Sequence, residues 1–174
     1  ALFECWIDTH YQALYRHALW MVGETELAAD LVQETYYQAW KGRHALRDES
    51  KAFSWLLTIL RRGIFQEYGR ASRQRFGLSE LGVQALTLAQ VGDASDLMDL
   101  ARAFQRLSPS HREMILLNTL HGLSYTEIGA QLNIPIGTVM SRLARAREEL
   151  TQALHATERP ANNVVPLRGL PNIR

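Results

Sequence analysis

The sequence predicts an all-α protein, in which two small helical domains are joined by a flexible linker. Apolar residues recur every three or four positions over most of the 174 residues. Glycines, prolines and polar capping residues divide this pattern into segments of helix length. No segment alternates apolar and polar residues as a half-buried strand does. A hydrophobic fraction of 47% also excludes a disordered chain.

The first half of the chain predicts three helices, which form a domain over residues 1–76. The first covers 2–22 and ends at Gly23, a suitable C-cap. The second has Thr25 as its N-cap and ends at Gly42. The third follows a polar loop and covers 50–75. The second helix is expected to face the core with Leu27, Leu31, Ala39 and Trp40.

The second half predicts a domain over residues 97–156, which follows a linker over 77–96 and precedes a mobile tail over 157–174. The linker is rich in leucine and alanine, so a short helix and contact with a partner are both compatible with it. An amphipathic helix begins the domain at 96–107. A second helix starts with Ser108 as N-cap and Pro109 at its first position, and Gly122 ends it.

Two further helices in this domain are separated by a short turn. Ser124 and Glu127 have the spacing of a capping box before an apolar run. Asn133 and Pro135 then interrupt the pattern before a final helix begins. Two short helices joined by such a turn are typical of a helix-turn-helix.

The final helix divides into a packing face and a polar face. Small or polar residues with one arginine permit close approach to a DNA groove, and that arginine, Arg145, is suited to guanine O6 and N7. Arg142 and Arg147 lie towards the sides, where phosphate contacts are expected. A helical hairpin with a solvated, charged face remains an alternative. The packing face contains Val139, Leu143, Ala146 and Leu150. The polar face contains Gly137, Ser141, Ala144, Arg145 and Glu148, and Thr138 and Met140 flank it.

Charge is unevenly distributed although the formal net charge is only +1. All but two of the 19 basic residues are arginine, the side chain suited to phosphate and guanine. Residues 61–75 contain five arginines and a single acid, Glu67, whereas residues 24–34 contain four acids and no base. Each run is also compatible with a simple solvated helix face.

Several classes of function find no support in the sequence. Cys5 is the only cysteine, so no intramolecular disulfide forms and a reducing compartment is expected. No apolar run has the length of a membrane span, no signal peptide is visible, and the cytoplasm is the expected location. The six histidines have no metal-ligand spacing with acids or Cys5. No phosphate loop or nucleophile motif is present, so we expect no metal, cofactor, small-molecule substrate or catalysis.

Two separate segments together resemble the extracytoplasmic-function (ECF) σ factors, the bacterial promoter-recognition subunits of RNA polymerase. "AADLVQETYYQAW", residues 28–40, is similar to the family's region 2.2. "GLSYTEIGAQLNIPIGTVMSRLARAREEL", residues 122–150, is similar to region 4.2. Order, spacing and linker also match, so the resemblance covers about residues 2–156. It implies a σ2 domain, a flexible linker and a σ4 domain.

The resemblance implies partners and binding residues for each domain. The σ2 domain binds the β′ clamp helices of core RNA polymerase, and the matching positions are Asp30, Gln33, Glu34 and Tyr37. Its third helix recognises and opens the −10 element of promoter DNA through Arg61, Arg62, Tyr68, Arg70 and Arg73. The σ4 domain binds the β flap and reads the −35 element through Asn118, Thr138, Met140, Ser141, Arg142, Ala144, Arg145 and Arg147. An anti-σ factor is a further expected partner.

The chain departs from the family pattern at positions that affect promoter choice. Many members have Arg-Asn followed by Asp in the third helix, where this chain has Arg61-Arg62 and then Gln66, with Gly63 between them. A basic residue is usual at Met140. Unusual −10 and −35 sequences are therefore expected. The alternative is a regulator that binds duplex DNA without core polymerase, which leaves residues 28–40 and the third helix without a role.

Overall fold

A computed structural model describes residues 2–71 and 94–157, and within these ranges it contains seven helices and no strand. The prediction of an all-α fold is confirmed. Two short 3₁₀ turns, Arg43–Ala45 and Glu49–Lys51, connect α2 to α3. The helices are α1 (Leu2–Val22), α2 (Thr25–Gly42), α3 (Ala52–Ala71), α4 (Ala94–Arg106), α5 (Pro109–Ile115), α6 (Tyr125–Leu132) and α7 (Ile136–Thr157).

Helices α1, α2 and α3 pack as a bundle around leucine side chains. Leu14, Leu56 and Leu60 are completely buried, and so is Ile64. The buried positions of α2 recur at helical spacing, so the opposite side of that helix is left exposed. These buried positions are Ala28, Leu31, Val32, Thr35, Tyr36 and Ala39.

Two predictions for α2 are wrong. Thr25 is the first helical residue, and the N-cap is Glu24, whose side chain makes no capping hydrogen bond. Trp40 was expected in the core but is 49% exposed. It lies one position beyond the buried Ala39, and about 100° of helical rotation moves its indole to the edge of the bundle.

Gly63 explains how α3 approaches α2 closely. A Cβ atom at this position would lie 3.3 Å from Cδ2 of Leu31. The lower helix propensity of glycine, about 1 kcal/mol against alanine, therefore accompanies a close contact between the two helices.

Helices α4 to α7 form the second bundle, and its predicted capping interactions are confirmed. The Ser108 hydroxyl accepts a hydrogen bond from the His111 amide, and Pro109 occupies the first turn of α5. Ser124 and Glu127 form the complete capping box of α6. The second bundle encloses the side chains of Met114, Leu117, Ile128 and Leu143.

The turn between α6 and α7 depends on a residue that tolerates the left-handed conformation and on a glycine at a close backbone approach. Asn133 ends α6 in the left-handed conformation, with φ of 54°. A Cβ atom on Gly129 would lie only 2.9 Å from the carbonyl oxygen of Ile134. Helices α6 and α7 with this turn form the predicted helix-turn-helix.

The two bundles contact each other through polar side chains that bridge them. Gln131 Nε2 donates to the Ser54 carbonyl oxygen and to Thr58 Oγ1, both at 2.9 Å. Gln105 Nε2 donates to the Trp20 carbonyl oxygen at 2.8 Å.

Buried charged and titratable groups extend this contact. Arg112, 6% exposed, donates to the Met21 carbonyl oxygen. His17 Nδ1 lies 3.0 Å from His121 Nε2, with the rings stacked. The two domains therefore pack against each other in a closed arrangement. We call the contact between them the domain interface. The predicted linker lies mainly outside the described residues, and α4 begins at Ala94, three residues before the predicted start of the second domain. The predicted tail also lies outside them, apart from Thr157.

Candidate functional site

The exposed side of α7 is the first candidate surface. Val139, Leu143 and Ala146 are buried, as the periodicity predicts. The opposite side exposes Gly137, Ser141, Ala144, Arg145 and Glu148. Arg145 has no hydrogen bond or ion pair within residues 2–71 and 94–157, so its guanidinium is accessible to a ligand. Small neighbours and an accessible arginine give this side the properties needed to approach base edges in a major groove.

Two predicted DNA-binding residues from different segments contact each other beside this surface. Arg147 Nη2 donates to Asn118 Oδ1 at 2.8 Å, and Arg147 Nη1 to Tyr125 Oη at 3.4 Å. Asn118 lies in a π-helical turn, Leu116–Leu120, and its Nδ2 donates to the Leu123 carbonyl oxygen at 3.0 Å. The guanidinium of Arg147 is thus held in one orientation while its side chain stays exposed.

The remaining predicted residues of α7 occupy the first three turns of the helix. Thr138 is half-buried, and its carbonyl oxygen accepts from Ser141 Oγ at 3.2 Å. Met140 is 53% exposed and Arg142 is exposed. Glu149, later in α7, makes a side-chain hydrogen bond with His111. The three arginines of α7 therefore precede its two glutamates along the helix.

The exposed side of α2 forms a second surface, which we call the α2 stripe: Asp30, Gln33, Glu34 and Tyr37. The spacing of three and four residues places all four on one side of the helix. Glu34 Oε1 accepts from Gln38 Nε2 at 2.6 Å, and the Lys41 ammonium lies 5.1 Å from the centroid of the Tyr37 ring. The stripe is an acidic and polar surface with an aromatic ring at its end.

The arginines of α3 are not equally accessible. Arg62 is exposed, and Arg70 pairs with Glu67 at 2.6 Å while remaining 75% exposed. Arg61 Nε instead donates to Oε1 of Glu113 at 2.6 Å, across the domain interface, and Glu113 is only 4% exposed. Burial raises the pKa of the Glu113 carboxyl, against the opposing effect of Arg61. Arg61 therefore has its Nε committed to Glu113 in this arrangement, while its side chain stays 39% exposed.

Tyr68 and Phe53 also lie at the domain interface. The Tyr68 hydroxyl donates to the Met21 carbonyl oxygen, and the Arg112 guanidinium carbon lies 5.4 Å from the centroid of its ring. Phe53 packs against His121 with ring centroids 5.1 Å apart. Arg73, the last residue of the predicted −10 surface, lies outside the described residues.

An aromatic pocket of about 450 Å³, not predicted from the sequence, lies between α1, the end of α2 and the connection from α2 to α3. The Arg43 guanidinium carbon lies 4.1 Å from the centroid of the exposed Trp40 ring, and Arg43 Nη1 donates to the Trp40 carbonyl oxygen at 2.7 Å. Phe3 packs edge-on against Trp40. The pattern that indicates this pocket in the sequence is Trp40 followed by basic residues in the loop after α2. The expectation that Trp40 lies in the core concealed this pattern. The pocket is lined by Phe3, Trp6, Trp40, Arg43, His44, Leu46, Arg47 and Glu49.

Across residues 2–71 and 94–157, no cluster of three histidine, cysteine or acidic side chains is placed to hold a metal ion. No helix in those same ranges has the length and apolar character needed to cross a membrane.

Comparisons with known proteins match both halves of the chain. The family Sigma-70 region 2 matches residues 6–74, and Sigma-70, region 4 matches residues 97–150. The ECF RNA polymerase sigma factor SigL of Mycobacterium tuberculosis is 34% identical over 158 residues, which cover 88% of this chain and 89% of SigL. SigW of Bacillus subtilis is 29% identical over 160 residues, covering 84% and 83% of the two chains.

Solved structures are similar over the same extent. The sigma factor RpoE from Bartonella quintana, in complex with the anti-sigma factor NepR, gives a TM-score of 0.71 at 30% identity. The alignment covers 90% of this chain and 98% of RpoE. CnrH, in complex with the cytosolic domain of CnrY, gives a TM-score of 0.66 at 26% identity and covers 88% of each chain. With both regions matched in order, the chain belongs to the ECF σ factors of bacterial RNA polymerase.

Proposed function

We propose that the chain binds core RNA polymerase, directs it to promoters with particular −35 and −10 elements, and helps to open the DNA. The observation that carries this proposal is the presence of two different surfaces on one chain. The α2 stripe is acidic and polar, which suits a basic protein partner, whereas α7 exposes arginines and small residues, which suit DNA. A regulator acting on DNA alone needs only the second surface.

In this proposal each domain has a separate task. The domain over residues 1–76 binds the β′ clamp helices through the α2 stripe and the −10 element through α3. The domain over 97–156 binds the β flap and reads the −35 element through α7. The linker over 77–96 sets the distance between the two contacts. The chain acts in the cytoplasm with the polymerase and performs no catalysis of its own.

We further propose that the aromatic pocket accepts an unstacked base from the opened −10 element. Stacking on an aromatic ring and a nearby cation are the features that hold single-stranded DNA without a duplex. Trp40 supplies an exposed ring, and Arg43 lies 4.1 Å from its centroid. Arg62 and Arg70, both exposed on α3, supply charge for the strand backbone.

The domain interface supports control by a protein inhibitor. Arg61 pairs with Glu113 in this arrangement, so contact between the domains competes with DNA for the Arg61 guanidinium. A partner that holds the domains together would keep the chain inactive. RpoE was solved in complex with the anti-sigma factor NepR, and CnrH in complex with the cytosolic domain of CnrY. We propose an anti-σ factor as the corresponding partner of this chain.

The test is binding of the full chain to purified core polymerase in low salt. Replacing Gln33 and Glu34 together by alanine is expected to weaken binding by roughly tenfold, because the change removes two adjacent polar groups from the stripe. Gln12→Ala, at an exposed position of α1, is the matched control and should bind as the native chain does. Absence of binding by the native chain would refute the proposal.

A further inference from the structure

The first turns of α7 carry an apolar surface that the proposed function has not used. Ile136 is 50% exposed and Met140 is 53% exposed. They are four residues apart, so their side chains are neighbours on one side of the helix. Within residues 94–157 the only other large apolar side chain exposed to a similar degree is Met98, on α4. An exposed apolar pair at the start of a DNA-reading helix needs an explanation that arginine contacts do not supply.

The surroundings of this pair favour DNA as its ligand. Arg147 follows Met140 by seven residues, which places it on the same side of α7, and its guanidinium is oriented by Asn118. Arg142 and Arg145 are exposed on the other flank. Arginines that surround an apolar pair match a major groove, in which phosphates border the base edges.

Steric conditions for a close approach are also met. A Cβ atom added to Gly137 would have no heavy atom within 4 Å, so the helix surface beside Ile136 is open. Ala144, one turn after Met140, is small and exposed. Neither residue would hold the helix away from the groove floor.

The chemistry of the groove identifies the group that such a pair can bind. Neither side chain donates a hydrogen bond, so the pair cannot satisfy the acceptors of guanine. The apolar group that the major groove offers is the C5-methyl of thymine. Four residues of helix span about 6 Å, close to the rise of two base pairs, about 3.4 Å each. Ile136 and Met140 can therefore contact methyl groups on neighbouring or alternate base pairs.

We propose that Ile136 and Met140 form a thymine-methyl contact and make the −35 specificity of this σ factor depend on thymine at one or two defined positions. This inference rests on the proposed function, since it needs α7 to lie in the −35 major groove. In this proposal Met140 makes an apolar contact with DNA at the position where a basic residue is usual in the family.

The test uses deoxyuridine, which differs from thymidine by the absence of the C5-methyl group. Holoenzyme reconstituted with the full chain first selects its preferred −35 sequence from a randomised duplex pool. Each thymine of that sequence is then replaced singly by deoxyuridine, and the dissociation constants are measured. One or two replacements should weaken binding by about fourfold, the factor expected when burial of one methyl group is lost.

The protein variants identify which side chains are responsible. In Met140→Ala or Ile136→Ala holoenzyme, the penalty for deoxyuridine should disappear at the affected position, whereas Met140→Leu should keep it. Met98→Ala is the matched control, because it removes an exposed methionine outside α7 and should leave the penalty unchanged. The effect on binding of deoxyuridine placed in the −10 element should be the same for the native chain and for each of these variants.

The outcomes separate this inference from the proposed function. A holoenzyme that selects a −35 sequence but tolerates deoxyuridine at every position would refute the thymine contact alone. Weaker binding of Met140→Ala to core polymerase, with the deoxyuridine penalty intact, would assign the pair to a protein contact and also refute it. Failure to select any −35 sequence would refute the proposed function and this inference with it.

Discussion

Acidification should open the domain interface through His17 and His121. His17 is 1% exposed, and its Nδ1 lies 3.0 Å from His121 Nε2, so two positive charges at this place are strongly disfavoured. Burial, with His121 nearby, lowers the pKa of His17 to about 3. Burial, with Arg16 nearby, lowers the pKa of His121 to about 4. Both imidazoles are therefore neutral in the closed arrangement at neutral pH.

The direction of the pH effect follows from these lowered pKa values. When the domains separate, each histidine returns towards a pKa of about 6.5 and takes up a proton below that pH. The closed arrangement is then stable above about pH 6.5 and loses about 1.4 kcal/mol per histidine for each pH unit below it. At about pH 5.5 the pair should lower the stability of the closed arrangement by roughly 3 kcal/mol, a factor of roughly a hundred in the ratio of closed to open chains. The raised pKa of Glu113 acts in the opposite direction on acidification.

The assay is the distance between the domains, measured by double electron–electron resonance. Cys5 is the only cysteine and is exposed on α1, so one spin label attaches there, and Gln152→Cys on α7 supplies the second site. The distance distribution should broaden and lengthen between about pH 7.5 and about pH 5.5. The double variant His17→Gln, His121→Gln should lose this response, and His44→Gln, at an exposed loop position, should keep it. An unchanged distribution in the native chain, or the same response in the double variant, would refute the reasoning.

Three further effects are expected from local contacts. Gly129→Ala should lower the melting temperature, because its Cβ would lie 2.9 Å from the Ile134 carbonyl oxygen. Gly137→Ala, with open space around the added Cβ, should not lower it. Calorimetry compares the two variants, and equal melting temperatures would contradict this expectation. Leu143→Ala should lower the free energy of unfolding by about 2–5 kcal/mol, since the side chain is 1% exposed, and urea denaturation tests this. Arg147→Ala should lower the salt dependence of −35 duplex binding by roughly one phosphate contact, a slope change of about 0.9, and an unchanged slope would remove its phosphate role.

The helices and several of their ends were predictable because their signals are local. Pro109 at a first helical position and the pair Ser124 and Glu127 each act within one turn, and the structure contains both interactions as predicted. The division of α7 into a buried and an exposed side followed from periodicity in the same way. Thr25 was mistaken for an N-cap because residue type alone does not fix which backbone position precedes the helix.

Contacts between distant segments could not be predicted. Arg61 and Glu113 are 52 positions apart. The sequence pattern around each residue predicts only an ordinary charged residue on a helix. The bond between Asn118 and Arg147 likewise depends on how the π-helical turn directs Asn118. The aromatic pocket was missed because Trp40 fits an amphipathic pattern within one position.

The most direct test of the central claim is mapping of the RNA 5′ ends made by core polymerase on genomic DNA with and without this chain. We predict that the chain adds start sites that share a −35 and a −10 sequence at a fixed spacing. Arg145→Ala should change or weaken the shared −35 sequence while leaving core binding intact. Identical start sites with and without the chain would contradict the claim that it directs promoter-specific initiation.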